Sequence, residues 1–504
     1  MKRRFSLLCI CLLSIQMLFA TQPNDGDKKR DSFRGKKPKY VFYFIGDGFG
    51  LSQSNATEAY MAAVNDSEGI QKLAMNTFPI QGLYTTYAQN QFITGSAAAG
   101  TALSTGNKTS IGTIGMDASK QKPFKTIAEK ARDKGYRVGI VSSVSLNHAT
   151  PASFYAHQPS RGRYYDISVD MGKSQFNFFG GGGIMHPEGD GKSNKKNKAA
   201  NIGMAGNKKI KGKKENSLKL AEKQGYTIVN TNEAFHAIKS GDDKIIAINE
   251  TLAGGQSLPN GIDQKEGDLS LGDYTQKAIE VLENKKGFFL MVEGGKIDWA
   301  CHANDAVTAI NEVIQFDQAI QKAIAFYHEH PKETLIVVCG DHETGGLTLG
   351  FSGSHYKSNF KLLENQKNSN GVFNAELKKL KKQDASFDAV LQAVRKNYGF
   401  DGEEKSTKLS EYELAQLKQA YNESFDKGEQ IANKDQYYQL YGAIDPITIT
   451  ASHILAQKAG IGWTTFSHTA TPIPVRAMGP GSTLFNGYFD NTDLPKNIEM
   501  LMKL

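Results

Sequence analysis

Three apolar runs in this chain each end on a carboxylate, and that repetition constrains the fold more than any other feature. Tyr40-Val41-Phe42-Tyr43-Phe44-Ile45 leads into Gly46-Asp47-Gly48, and Phe288-Phe289-Leu290-Met291-Val292 leads into Glu293-Gly294-Gly295. Thr334-Leu335-Ile336-Val337-Val338 is followed by Cys339, Gly340 and then Asp341-His342-Glu343. Near-continuous β-branched and aromatic runs of this length read as strands buried on both faces, the habit of parallel sheets. In open α/β sheets the ligand site lies beyond the carboxyl ends of the strands. Acids and imidazoles delivered there from distant parts of the chain predict a metal-dependent active site.

The segments between the runs agree. Residues 124–134 have helical spacing and precede a strand at 136–141, and 217–223 followed by 226–229 repeats the theme. Helical patterns at 274–283 and 305–328 precede the Glu293 and Asp341 strands. Strands alternating with helices of this length predict an α/β fold with a largely parallel central sheet and helices on both faces. Residues 357–439 break the alternation: they are charged and Tyr-rich, with helical spacing at 387–394 and 412–421, and read as a mostly helical insertion. A hydrophobic content of 39% and a charged content of 22% over 504 residues are ordinary for a globular protein with a large core.

Met1-Lys2-Arg3-Arg4, the apolar stretch at 5–19 and the small residue Ala20 before Thr21 predict a secretory signal peptide at 1–20. The apolar stretch is too short to span a bilayer, which takes about 20 residues. The polar residues 21–39 read as a flexible lead-in, so the expectation is an exported protein, periplasmic or extracellular after cleavage, with no membrane span. Cleavage takes Lys2, Arg3 and Arg4 with it, and Cys9 and Cys11, lowering the net charge from +8 to +5. Basic residues are scattered or gathered in a Gly- and Asn-rich tract at 192–214, which reads as solvated surface rather than a nucleic-acid interface. Cys301 and Cys339 remain; a disulfide is open to them in an oxidising compartment, and two buried thiols is the preferred reading.

Five short elements carry the chemistry. In Phe92-Ile93-Thr94-Gly95-Ser96-Ala97-Ala98-Ala99-Gly100, Ser96 heads an Ala-rich helix, where the helix dipole favours an anion and where a serine also suits an ordinary N-cap. Asn147-His148-Ala149-Thr150-Pro151 follows the 136–141 strand, and Arg161 lies beyond it with a planar fork of donors matched to phosphate oxygens. Glu293 is joined by Asp298, Trp299 and His302; Asp341-His342 and Ser467-His468-Thr469 complete the set. Carboxylates with imidazoles suit zinc, with an oxygen-only position left for magnesium.

In this order, these elements resemble the alkaline phosphatase family from Tyr40 to about Gly481. The resemblance makes 40–504 one catalytic domain interrupted at about 357–439, and implies hydrolysis of phosphate monoesters with broad specificity at alkaline pH. It implies Ser96 as the nucleophile that becomes phosphorylated, and Arg161 as the clamp on the non-transferred phosphate oxygens. Asp298, His302 and His468 would hold one zinc, and Asp47, Asp341 and His342 a second. Asp47, Thr150 and Glu293 would hold magnesium. Family members commonly carry Asp directly before the nucleophile, where this chain has Gly95, which implies a less firmly held Arg161. His148 stands where some members have Asp, and Trp299 where some have Lys or His; a His/Trp pair occurs in other bacterial members, and both residues are expected beside the metal ligands. Two alternatives are a phosphodiesterase or sulfatase of the same superfamily and an exported metal- or phosphate-binding protein without catalysis. Sulfatases need Cys/Ser-x-Pro-x-Arg, which Ser96-Ala97-Ala98-Ala99 lacks, and no ligand of the expected set is missing. Assembly, a homodimer among the options, is open.

Overall fold

The computed structural model describes residues 35–189, 214–428 and 430–504. The leader at 1–20, most of the lead-in at 21–39 and nearly all of the basic tract at 192–214 lie outside the described residues. Among the described residues, no helix is long and apolar enough to cross a membrane.

Among the described residues fourteen strands are formed: β1 (Tyr40–Gly46), β2 (Ile80–Thr85), β3 (Arg137–Ser142), β4 (Phe178–Gly181), β5 (Thr227–Val229), β6 (Ile245–Ile248), β7 (Phe288–Gly294), β8 (Thr334–Gly340), β9 (Glu343–Thr344), β10 (Thr348–Leu349), β11 (Ile461–Gly462), β12 (His468–Thr469), β13 (Ile473–Met478) and β14 (Gly487–Asp490). Ten of them make one sheet in the order β14-β2-β13-β8-β1-β7-β3-β4-β6-β5. Every pairing in it is parallel except those of β13, which runs antiparallel to β2 and β8.

The three carboxylate-ending runs are the adjacent strands β8, β1 and β7 at the centre of this sheet, buried along their whole length. Alternation within β1 sends Val41, Tyr43 and Ile45 into one apolar layer and Phe42 and Phe44 into the other, as a pleated strand covered on both faces requires. The Ala306–Glu329 helix covers the second layer through Val313, Phe316 and Ile320; the Ile127–Asp133 and Asp493–Met502 helices cover the first. Register then decides where the chemistry sits. Gly46 pairs with both Gly294 and Gly340, and Ser142 pairs with Glu293, so the four strands end at one level.

Between 357 and 439 the chain forms the helices Asn370–Lys382, Phe387–Tyr398, Glu411–Ser424 and Lys434–Tyr441, packed with the Pro446–Ala459 helix around a third apolar cluster. Two of them outrun the apolar spacing that marks them in the sequence, because caps rather than apolar residues set their ends. Ser386 accepts from Ala389 N and Gly399 closes the other end in the left-handed conformation, while Ser410 and Glu413 form a reciprocal capping box. Cys301 and Cys339 are buried free thiols.

Candidate active site

The turn after β1 brings the strand ends together. Asp47 N donates to Gly294 O at 3.2 Å, and Gly48 N donates to Asp341 Oδ1 at 3.1 Å. Gly48 has a φ of +73°, and a Cβ there would lie 2.7 Å from Asp298 Cα, so this turn lies on the first turn of the Lys296–His302 helix only as glycine.

Three groups of donors result. In the first, Asp298 Oδ1 lies 3.3 Å from His302 Nε2 and 3.5 Å from His468 Nε2, and the two Nε2 atoms are 3.1 Å apart. In the second, His342 Nε2 is 3.4 Å from Asp47 Oδ1 and 3.2 Å from Asp341 Oδ2. These separations match the ~3.3 Å edge of a tetrahedron with the 2.0–2.1 Å bonds zinc makes to N and O. His342 also stacks on His468 with centroids 3.6 Å apart and approaches Asp298, so the two groups are contiguous. In the third, Thr150 Oγ1 donates to Asp47 Oδ2 at 3.2 Å, and Glu293 and His148 offer ligand atoms beside Asp47. Ser142 Oγ donates to Glu293 Oε2, while Glu293 Oε1 is buried without a hydrogen-bond partner. A buried orphan carboxylate oxygen among acids is what a cation would satisfy, so the donors fit metal ions.

Backbone and side-chain partners aim these ligands. His468 Nδ1 bonds Thr94 O at 2.8 Å and His302 Nδ1 bonds Phe466 O at 2.6 Å, leaving each Nε2 toward Asp298. Thr344 Oγ1 donates to Asp298 Oδ1 at 2.6 Å, a role the sequence reading missed although Thr344 stands two residues after His342. Ser142 and Gln53 were missed too. Gln53 Nε2 donates to Glu343 Oε1 at 2.7 Å and to Thr344 O at 3.0 Å, and nothing in the local sequence marks that long-range contact.

Ser96 is the first residue of the Ser96–Thr105 helix and Gly95 is its N-cap, so the capping alternative for Ser96 is corrected. Freed from capping, Ser96 Oγ lies 3.4 Å from His342 Nε2, 3.5 Å from Asp47 Oδ1 and 3.4 Å from Arg161 Nη1. Arg161 has an anchor in place of the absent carboxylate: Nη2 is 2.9 Å from His148 Nε2, whose ring rests edge-on to Trp299 at 5.7 Å.

Electrostatics divide the acids. Burial pushes Asp341 up to about 7, helped by the charge of Asp298, and burial pushes Glu293 up to about 8. Asp47 is raised by burial and then by Asp341, Asp298 and Glu293, against which Arg161 is too little. Asp298 is the exception: burial would raise it, but His302, His468 and His342 together outweigh burial and hold it low. Burial lowers His148 to about 3, with Arg161 adding to the effect, and lowers His342 and His468. Three carboxyls that resist ionising in one closed pocket are a standing demand for positive charge.

Residues 38–504 match the family described as alkaline phosphatase. Alkaline phosphatase 3 of Bacillus subtilis (strain 168) is 32% identical over 464 residues, spanning 91% of this chain and 88% of its own. Among solved structures, a cold-active alkaline phosphatase from the psychrophile Shewanella sp. has a TM-score of 0.72 at 28% identity, covering 92% of this chain and 99% of that one. The Thermus thermophilus alkaline phosphatase has a TM-score of 0.71 at 26% identity over 92% and 91% of the two chains.

Proposed function

The chain belongs to the alkaline phosphatase family, and from that premise we propose that it hydrolyses phosphate monoesters through a phosphoserine formed at Ser96. The observation that carries this reading is the convergence of Asp47, His342 and Arg161 on Ser96 Oγ within 3.5 Å. Asp298, His302 and His468 would hold one zinc, and Asp47, Asp341 and His342 another. When bound, the two ions supply Lewis-acid charge that makes the serine hydroxyl a better nucleophile and the departing alcohol a better leaving group.

Ser96 Oγ gives up its proton to solvent as it forms a bond to phosphorus, the ester P–O bond breaks on the opposite side, and the departing alkoxide takes a proton from solvent and leaves as the alcohol. Arg161 presents its guanidinium fork to the oxygens that stay on phosphorus, where the transition-state charge is spread. Water then attacks the phosphoserine, the P–Oγ bond breaks, Ser96 regains its proton and inorganic phosphate departs. Because this chain's contacts address the phosphoryl group, specificity for the alcohol is expected to be broad.

For the third group, His148 decides the donor set. Arginine only donates, so Nε2 of His148 accepts and the imidazole proton is on Nδ1. Neither nitrogen then has a free lone pair, and the oxygens of Asp47, Thr150 and Glu293 are left, a set that suits magnesium. The residues at 1–20 support export to the periplasm or beyond the cell.

Turnover of p-nitrophenyl phosphate at alkaline pH, compared with bis-p-nitrophenyl phosphate and p-nitrophenyl sulfate, tests the function. The monoester is expected to be preferred by orders of magnitude; equal or greater diester turnover sinks the reading. His148→Ala is expected to weaken inhibition by inorganic phosphate roughly tenfold, the weight of one hydrogen bond to a charged group. Arg161→Ala should cost more than that, and a His148 variant with unchanged phosphate inhibition would remove His148 as the anchor.

A further inference from the structure

The helices at 434–459 reach the first donor group through one aromatic ring. His302 Nδ1 donates to the Phe466 carbonyl, which fixes the proton on Nδ1 and turns the Nε2 lone pair to Asp298 and His468. That carbonyl therefore orients the imidazole, and it belongs to a residue whose ring is held by its neighbours. Three contacts grip the ring. Tyr438, on the Lys434–Tyr441 helix, meets it edge-on at 6.2 Å, and His453, on the Pro446–Ala459 helix, stacks on it at 6.1 Å and 17°. Gly442 lies against its face: φ is +59°, and a Cβ there would fall 2.7 Å from Phe466 Cγ. A second tie runs to the other side of His302. His453 Nε2 donates to Asn304 Oδ1 at 3.0 Å, and Asn304 Nδ2 donates to Cys301 O at 2.9 Å and to Thr465 O at 3.1 Å.

We propose that the Lys434–Tyr441 and Pro446–Ala459 helices act as a clamp on the zinc group of Asp298, His302 and His468, with Phe466 as the positioning residue. This rests on the assignment of that group to zinc above. It gives the end of the helical segment a task in holding metal rather than in covering substrate, and Tyr438, 45% exposed, remains half in solvent while doing it.

The test is a zinc competition titration of the full enzyme against a chromogenic chelator, with Phe466→Ala, Phe466→Tyr and Tyr438→Ala beside the wild type. Phe466→Ala leaves the carbonyl in place but loosens it, and is expected to weaken one of two zinc sites by about 10- to 100-fold, the usual cost of losing a partner that orients a metal ligand. The other site and KM at saturating zinc should hold. Phe466→Tyr keeps the ring and should keep the affinity. Tyr438→Ala, altering a half-exposed residue, should show a smaller loss at the same site and stands in if Phe466→Ala does not fold. Unchanged zinc affinity in both alanine variants, or a change in KM alone, overturns the clamp. A wild type that takes up no zinc overturns the zinc assignment itself, which separates the two failures.

Discussion

Ser96→Ala is expected to lower kcat by more than about a thousandfold, because loss of a serine nucleophile leaves only direct attack by water. Fold and metal content should be unchanged. Ser96 is 1% exposed, yet its hydroxyl caps no backbone group and the helix start is held by Gly95 backbone, with Ala98 N and Ala99 N both donating to Gly95 O. The hydroxyl's contacts, at 3.4–3.5 Å, are all to the groups proposed to activate it or to grip phosphate. Alanine is also the better helix former. The substitution thus isolates the oxygen atom. Rapid quenching of the wild type with labelled substrate should trap one phosphate per chain on Ser96, and the variant should trap none. Near-normal turnover by the variant would end the covalent mechanism.

The centre of the fold was legible because its strands are buried on both faces. β1, β7 and β8 have no solvent side, so their sequences are unbroken apolar runs, and the carboxylate after each run marks the ligand end. Peripheral strands carry no such mark. β4 is Phe178-Phe179-Gly180-Gly181, too short and too rich in glycine to stand out, and β9 and β12 are two residues each, defined by pairing with one another. The helices at 387–398 and 411–424 were legible in their apolar stripes but not at their ends, which depend on caps. For the site, the ligands stood out as residue types that are costly to bury unpaired. What held them did not. The partners of His302 and His468 are backbone carbonyls of Phe466 and Thr94, and a carbonyl has no residue identity to read. The anchor of Arg161 shows why a local absence misleads: Gly95 lacks a carboxylate, but His148, thirteen residues before the arginine, supplies an acceptor from another element.

Removing the metals should abolish turnover and make the protein's stability fall with pH, and the second effect follows from the same pocket. A carboxyl whose folded pKa lies above its unfolded value favours the fold while protonated, and that contribution is lost as pH rises through the folded value. Asp341 at about 7, Glu293 at about 8 and Asp47, also raised, all belong to this class. Asp298, held low by its imidazoles, acts only in acid, below the unfolded value of about 4. His148, His342 and His468 oppose the trend, since histidines lowered on folding cost stability while the unfolded chain is protonated, but only up to their unfolded value near 6.5. Above about pH 6.5 these three histidines drop out. The raised carboxyls remain together with His157, which burial would lower but its Glu129 contact raises, and which acts in the same direction, so the metal-free protein should lose thermal stability from there to about pH 9. Divalent cations reverse this by giving the ionised carboxylates partners, and binding strengthens as the ligands deprotonate. Chelated protein should therefore be inactive and melt lower at about pH 9 than at about pH 6.5, and zinc with magnesium should raise Tm more at the higher pH and restore activity. A metal-free protein that is equally stable at both values, or a Tm that zinc does not move, would mean that these carboxyls are not the ones a cation relieves.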